Sequence, residues 1–177
     1  MQVAIRHIFL SPGHNFFGRH GQLAGQHQIV GVPEVVCRAG WGIEGDRFYG
    51  YRPDYKGQIT FFAWEIYEAA KRDLAVPALA SEAFRRNVVI EGADLNALIG
   101  RRFTLGGVTF EGTEESRPCH WMNAVIAPGA EDWLRGRGGL RAKIVSDGRL
   151  AVGAAELTVL ANAPALSPVF GGSTAPT

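Results

Sequence analysis

Arg101-Arg102-Phe103-Thr104-Leu105-Gly106-Gly107-Val108-Thr109-Phe110-Glu111-Gly112 is the stretch on which the reading of the fold turns. Two short runs containing β-branched and aromatic residues flank a Gly-Gly pair, the pattern of a β-hairpin with a tight turn. Glycine is suited to that turn because it reaches positive φ without a steric penalty.

Strand-like runs recur on both sides of this hairpin. Residues 3–10 are largely apolar and β-branched, and Ser11-Pro12-Gly13 stops them. Residues 32–39 read as a second strand, with Pro33 marking an edge or a strand start. Further strands are expected at 58–62, in the second half of 85–92, at 142–145 and at 155–160, with Asp147-Gly148 as a turn. Helical signals are few. Trp64, Tyr67, Ala70, Lys71 and Leu74 keep an amphipathic rhythm over 64–74, and Pro77 lies beyond its end. Ser81 to Phe84 can start another helical turn, residues 94–100 read as a capped turn closed by Gly100, and residues 130–134 as one more short helix. Many short strands with a few short helices predict a mainly β (α+β) chain, a β-barrel or strongly bent sheet with peripheral helices, rather than a regular βαβ series. One domain is expected over residues 1–163, with a Pro/Gly/Ser-rich tail at 164–177.

A chain of 177 residues with 46% apolar and 20% charged residues is ordinary for a globular protein with a real core. A formal net charge of +1 gives no footprint for generic nucleic-acid or membrane-surface binding. Two cysteines make no disulfide framework, and neither a signal peptide nor a long apolar span is visible, so a cytoplasmic location is expected. The 15 arginines against 3 lysines are either codon bias or a preference for the planar fork that grips oxyanions.

The hairpin runs into Glu114-Glu115-Ser116-Arg117-Pro118-Cys119-His120-Trp121. Proline is favoured in the first turn of a helix, which predicts that Cys119 sits in the first turn of a short helix through Trp121, Met122 and Ala124. Beside Arg117 and the helix N-terminus, such a thiol is expected to ionise more readily than a free cysteine. The competing reading is a small buried residue. Cys119 and His120 are adjacent, so their side chains diverge and make a poor catalytic dyad. Cys37, within strand residues, is expected in the core.

Other candidates group around arginine. Arg85-Arg86-Asn87 at a strand entry forms either an anion-binding cluster or a solvated strand end. Arg135, Arg137 and Arg141 accompany Gly136, Gly138 and Gly139, whose backbone N–H groups can face an anion. Asp46 and Arg47 follow a glycine-rich segment and either pair with each other or present a charged donor to a ligand. The loop over 14–28 is long enough to be functional, and His14, Asn15, His20 and His27 can line a pocket. None of these histidines has i,i+4 spacing or a neighbouring carboxylate or Cys, so no metal site is expected there. No zinc or phosphate-loop motif is present.

Six of these motifs, in order, carry a family resemblance: Gly42-Ile43-Glu44-Gly45-Asp46-Arg47, Gln58-Ile59-Thr60, Arg85-Arg86-Asn87, residues 94–100, Arg117-Pro118-Cys119 and residues 136–141. Together they resemble the MOSC domain, the module named after the molybdenum cofactor sulfurase C-terminus. Residues 11–18 resemble its small stand-alone bacterial branch, and the resemblance spans roughly residues 1–160. It implies a β-barrel that binds the molybdenum cofactor, a pterin dithiolene carrying a phosphate. It implies Cys119 as the molybdenum ligand or as a sulfur holder, and Arg86 and Asn87 as pterin or phosphate contacts, with Arg47, Arg137 and Arg141 as further cofactor-binding candidates. The implied activity is reduction of N-hydroxylated small-molecule substrates with electrons from a separate reductase. A non-catalytic carrier of cofactor or of a Cys119 persulfide, or an interaction domain with a degenerate site, are the alternatives. Ser116 stands where relatives often have a second cysteine. No recognisable Schiff-base lysine is present, so pyridoxal phosphate is not expected to bind, and oligomeric state is left open.

Overall fold

The computed structural model describes residues 1–19 and 21–161. Its strands are, in chain order, β1 (Gln2–Leu10), β2 (Val30–Gly31), β3 (Glu34–Arg38), β4 (Gly42–Ile43), β5 (Ile59–Ala63), β6 (Val88–Glu91), β7 (Arg102–Leu105), β8 (Val108–Glu115), β9 (Leu140–Ile144), β10 (Gly148–Ala151) and β11 (Gly153–Val159). Seven of them close into a barrel in the order β1-β11-β7-β8-β9-β5-β6, with β6 returning to β1. Closure removes the open sheet edges that would otherwise invite pairing with another chain. β2 extends β1, and β10, β3 and β4 form a small separate sheet.

The hairpin that opened the sequence reading is β7–β8. Leu105 pairs with Val108, and both turn residues have positive φ (Gly106 55°, Gly107 84°), as a type I′ turn requires. β5 and β6 are the one parallel pair in the ring, which demands a crossover, and α1 (Trp64–Asp73) supplies it.

Two apolar cores share β5. Phe61 points into the barrel, where it meets Phe110 edge-on at 5.4 Å and Phe103 at 5.9 Å. Its neighbour Phe62 points outward and stacks on Phe84 at 4.3 Å, in a second layer formed with Tyr67 and Ala70 of α1, and with Met122, Ile126, Ala130 and Leu134. β5 therefore has both faces covered, and its run Ile59-Thr60-Phe61-Phe62 lacks polar alternation for that reason.

Two short helices, α2 (Trp121–Val125) and α3 (Ala130–Trp133), follow β8. The expected helix at Cys119 begins later than Pro118 predicts. Ser116 N–H donates to the Gly139 carbonyl at 2.7 Å and the Ser116 carbonyl is taken by Arg86, which hold the chain out of helix. A residue before proline also resists the α region, here Arg117. Cys119 stands at the entrance, its carbonyl accepting from Met122 N–H at 2.8 Å. A five-residue helix has little dipole to offer the sulfur. Residues 164–177 lie outside the described residues, and among the described residues no helix is long and apolar enough to cross a membrane.

Candidate functional site

Register brings four chain segments to one rim of the barrel. Arg141 on β9 lies opposite Thr60 on β5 and Glu114 on β8, and Phe61 of β5 pairs in parallel with Val88 of β6. The segments that enter β5 and β6 and leave β8 therefore converge, and between them lies a cleft of about 280 Å³. Its walls contain Arg47, Arg85, Arg86, Arg117 and Arg141 together with Cys119, and among the described residues none of those lining it is acidic.

Arg85 and Arg86 are adjacent yet diverge, because Arg85 takes a left-handed backbone (φ 56°) as the 3-10 turn at Ser81–Phe84 passes into β6. Arg85 reaches Ser11 Oγ and the Gly13 carbonyl, both at 3.5 Å, and lies 5.0 Å over the Phe16 ring. Arg86 donates to three backbone carbonyls: Nε to Gly138 at 2.9 Å, Nη1 to Phe84 at 2.8 Å and Nη2 to Ser116 at 2.7 Å. A guanidinium carries five donors, so these bonds use three of the five. Burial pushes each of these arginines down to about 10, with Arg47 adding repulsion at Arg85 and Arg141 adding repulsion at Arg86. Both stay charged at neutral pH, and among the described residues neither forms an ion pair, in contrast to Arg47 with Asp46 (3.4 Å) and Arg141 with Glu114 (3.3 Å).

Asn87 has a different place. Its Oδ1 accepts from Thr60 N–H and Thr60 Oγ1, and its Nδ2 donates to the Phe9 carbonyl and to Asp46 Oδ2. The side chain is buried with its donors and acceptor engaged inside the protein, so it positions the cleft rather than reaching into it. Asp46 completes the bracket: besides Asn87 and Arg47 it accepts from the N–H groups of Ser11 and Phe48. Arg47, with only a tenth of its side chain exposed, is thereby aimed at the cleft and lies 4.9 Å over Phe48. Of the two roles the sequence allowed Asp46 and Arg47, pairing with each other holds, and Arg47 lines the cleft as well.

Cys119 is exposed, while Cys37 is fully buried on β3, as expected, and burial pushes its thiol up to about 12. The second arginine group divides. Arg141 faces the cleft, Arg135 pairs with Asp132 at the surface, and Arg137 lies 4.5 Å over Trp133 and lines a separate groove beside Ala63 and Asn96. Gly138 and Gly139 have another use. Gly138 N–H is taken by Glu115 Oε1 at 3.1 Å, and a Cβ on Gly139 (φ 95°) would lie 2.2 Å from the Phe61 carbonyl oxygen. Their small size is needed for backbone packing against β5 and Ser116.

The loop after β1 forms one wall of the cleft. Asn15 pins its neck, donating to the His27 carbonyl at 2.9 Å and accepting the His27 N–H at 2.8 Å. Phe16 then stacks on Trp121 at 4.8 Å, two residues after Cys119, and all three line the cleft. His14, Asn15 and Phe16 line the cleft, and His20 lies outside the described residues. Arg85, which the sequence reading placed in the Arg85-Arg86-Asn87 cluster, and Thr60, which it placed in the Gln58-Ile59-Thr60 motif, line the cleft, as does Tyr55, which carried no signal in its turn-rich loop. Among the described residues no group of three His, Cys, Asp or Glu side chains stands ready to hold a bare metal ion.

Residues 42–156 match the family described as MOSC domain. No curated protein is similar to the chain in sequence. Among solved structures, the YuaD protein from Bacillus subtilis has the same fold at 17% identity (TM-score 0.72, covering 91% of this chain and 98% of that one). YiiM from Escherichia coli is similar at 16% identity (TM-score 0.63, 92% and 71% covered), and YiiM from Geobacillus stearothermophilus at 15% (TM-score 0.65, 90% and 75%).

Proposed function

This chain belongs to the MOSC domain family, and on that premise we propose that its rim cleft binds the molybdenum cofactor, with Cys119 as the protein ligand to molybdenum, in a reductase component acting on N-hydroxylated small molecules. One observation carries the reading: an exposed thiol lines a cleft that holds five arginines and, among the described residues, no carboxylate, and three of those arginines (Arg85, Arg86 and Arg117) have no ion-pair partner there. A single thiolate is a soft ligand, and one ligand suffices only for a metal that arrives already chelated. The absence of a ready three-ligand group among the described residues fits that requirement. The arginines suit the phosphate and oxo groups such a cofactor carries, because a guanidinium fork donates to two oxygens at once.

When bound, the cofactor supplies the electron-transfer chemistry. The chain's own part is to hold and orient. Arg85 and Arg86 would meet the anionic end, Asn87 and Asp46 keep Arg47 aimed at the cleft, and the stacked Phe16 and Trp121 form part of its wall. In this reading a separate electron donor completes the reaction.

Elemental and pterin analysis of wild type and Cys119→Ala, both made in a cofactor-competent host, tests this. The expected result is molybdenum and pterin in wild type and loss of molybdenum in the variant. Wild type without molybdenum sinks the proposal. Cofactor binding with no reduction of an N-hydroxylated purine, given a competent donor, would move the assignment to a carrier, for which the exposure of Cys119 to a partner is equally suited.

A further inference from the structure

His14 Nδ1 is the one buried side-chain nitrogen or oxygen among the described residues that has no hydrogen-bond partner. Such an atom is costly to leave unpaired and calls for an explanation. Looseness does not supply one. The ring is packed against Phe48 edge-on at 4.9 Å, Phe17 at 5.2 Å and Tyr51 at 6.4 Å. The His14 carbonyl accepts from Arg19 Nε at 3.2 Å, and the next residue, Asn15, is fixed to His27.

His14 also lines the arginine cleft. The charged and titratable groups that act on it electrostatically are Arg47 and Asp46 in the loop after β4, Arg85 at the entry to β6, and His27 in its own loop. Burial, then Arg47, hold the imidazole below its ordinary value of 6.5, with smaller pushes from Arg85 and His27; Asp46 acts in the opposite sense. Asp46 is already committed to four donors, so it is a weak partner for a new cation.

We infer that His14 is a ligand-binding residue of the cleft, which takes up a proton when an oxyanion binds beside Arg47 and Arg85 and then donates to that oxyanion from Nδ1. The inference rests on the reading of the cleft as an anion site. An oxyanion at Arg47 and Arg85 offsets the two largest repulsive charges on the imidazole and adds an attractive one, so the bound complex favours the protonated ring. Anion and proton then bind cooperatively. Below the pKa of free His14 and above that of the complex, affinity is independent of pH; between them it falls as pH rises, by up to about tenfold per unit.

Calorimetry with inorganic sulfate, which stays a dianion throughout, tests this on the full chain in buffers of different ionisation heat. Wild type is expected to take up as much as about one proton per sulfate near the middle of the window. Arg85→Gln is expected to weaken sulfate by about tenfold, which places the ion in the cleft. His14→Gln is expected to bind sulfate without proton uptake and with a flat pH profile. Ring 15N shifts of His14 in wild type, moving from neutral to imidazolium on adding sulfate, give the same answer without a variant. Sulfate binding with no proton uptake, uptake that persists in His14→Gln, or binding indifferent to Arg85→Gln each overturns the inference while leaving the cofactor proposal standing. No sulfate binding at all overturns it too, and the metal and pterin analysis then decides the cofactor reading by itself.

Discussion

Arg86 Nη2 donates to the carbonyl oxygen of Ser116 at 2.7 Å, three residues before Cys119. With its bonds to Gly138 and Phe84, this one side chain ties together the chain leaving β8, the loop before β9 and the turn before β6. Arg86 is therefore structural scaffold and cleft wall at the same time.

Replacing it separates those roles. Arg86→Ala leaves three carbonyls without their donor and is expected to destabilise the fold by roughly 2–4 kcal/mol. Arg86→Lys keeps the charge, but an ammonium on a flexible stem cannot reproduce the planar fork, so most of that loss should remain. Urea unfolding of the three proteins measures both. A lysine variant as stable as wild type would show that charge alone matters here.

Asn87→Asp places a second carboxylate where Asn87 Nδ2 now donates to Asp46 Oδ2 at 3.1 Å. Two buried like charges at that distance cannot both ionise cheaply, so one pKa is raised in the folded state above its unfolded value. A raised folded pKa means that the folded state binds the extra proton more tightly. Its stabilising effect is complete below the unfolded pKa and is lost as pH rises through the folded one. Denaturation midpoints followed from about pH 4 to about pH 8 should fall steadily for Asn87→Asp relative to wild type. A constant gap between the two curves would remove the proposed contact from the argument.

The two thiols should behave differently. Cys119 is exposed and Cys37 is fully buried with its thiol pushed up to about 12. A chromogenic thiol reagent should label one cysteine per native chain and two per unfolded chain. Phe16→Ala, which removes the ring stacked on Trp121 at 4.8 Å, is expected to speed native labelling of Cys119 by about threefold or more. An unchanged rate would mean that the stacked rings do not restrict a reagent's approach to the exposed thiol.

Glycines of one loop should differ in what they tolerate. Gly139 combines φ of 95° with a Cβ position 2.2 Å from the Phe61 carbonyl oxygen, and alanine there is expected to cost about 3 kcal/mol or more. Gly136 has φ of 75° with nothing within 4 Å of its Cβ position, so alanine should cost only about 1 kcal/mol. Thermal unfolding of both variants decides it; equal losses would contradict the close approach to β5.

Local chemistry settled much of this molecule before any coordinates. The Gly106-Gly107 hairpin, the strand starting after Pro33, the helix from Trp64 and the Asp94 cap all depend on near neighbours. The cap appears as Asp94 Oδ1 accepting from Asn96 N–H at 3.0 Å and Ala97 N–H at 3.3 Å. Such features follow from backbone preference and spacing, which a sequence displays directly. The ordered motifs likewise carried the family resemblance and selected Cys119, Arg47, Arg86 and Arg141, all of which the fold brings to one cleft.

Tertiary structure alone decided how the polar side chains are used. Arg137 and Arg141 sit four residues apart in one Gly/Arg stretch, yet only Arg141 lies on a strand whose register turns it to the cleft; Arg137 stacks on Trp133. Asn87 looked like a ligand contact, and long-range bonds to Phe9, Asp46 and Thr60 engage it instead. His14 was one polar residue among several in an irregular loop until barrel closure set Arg47 and Arg85 against it. Which hydrogen bond a side chain makes depends on residues distant in the chain, and barrel closure is what brings them within reach.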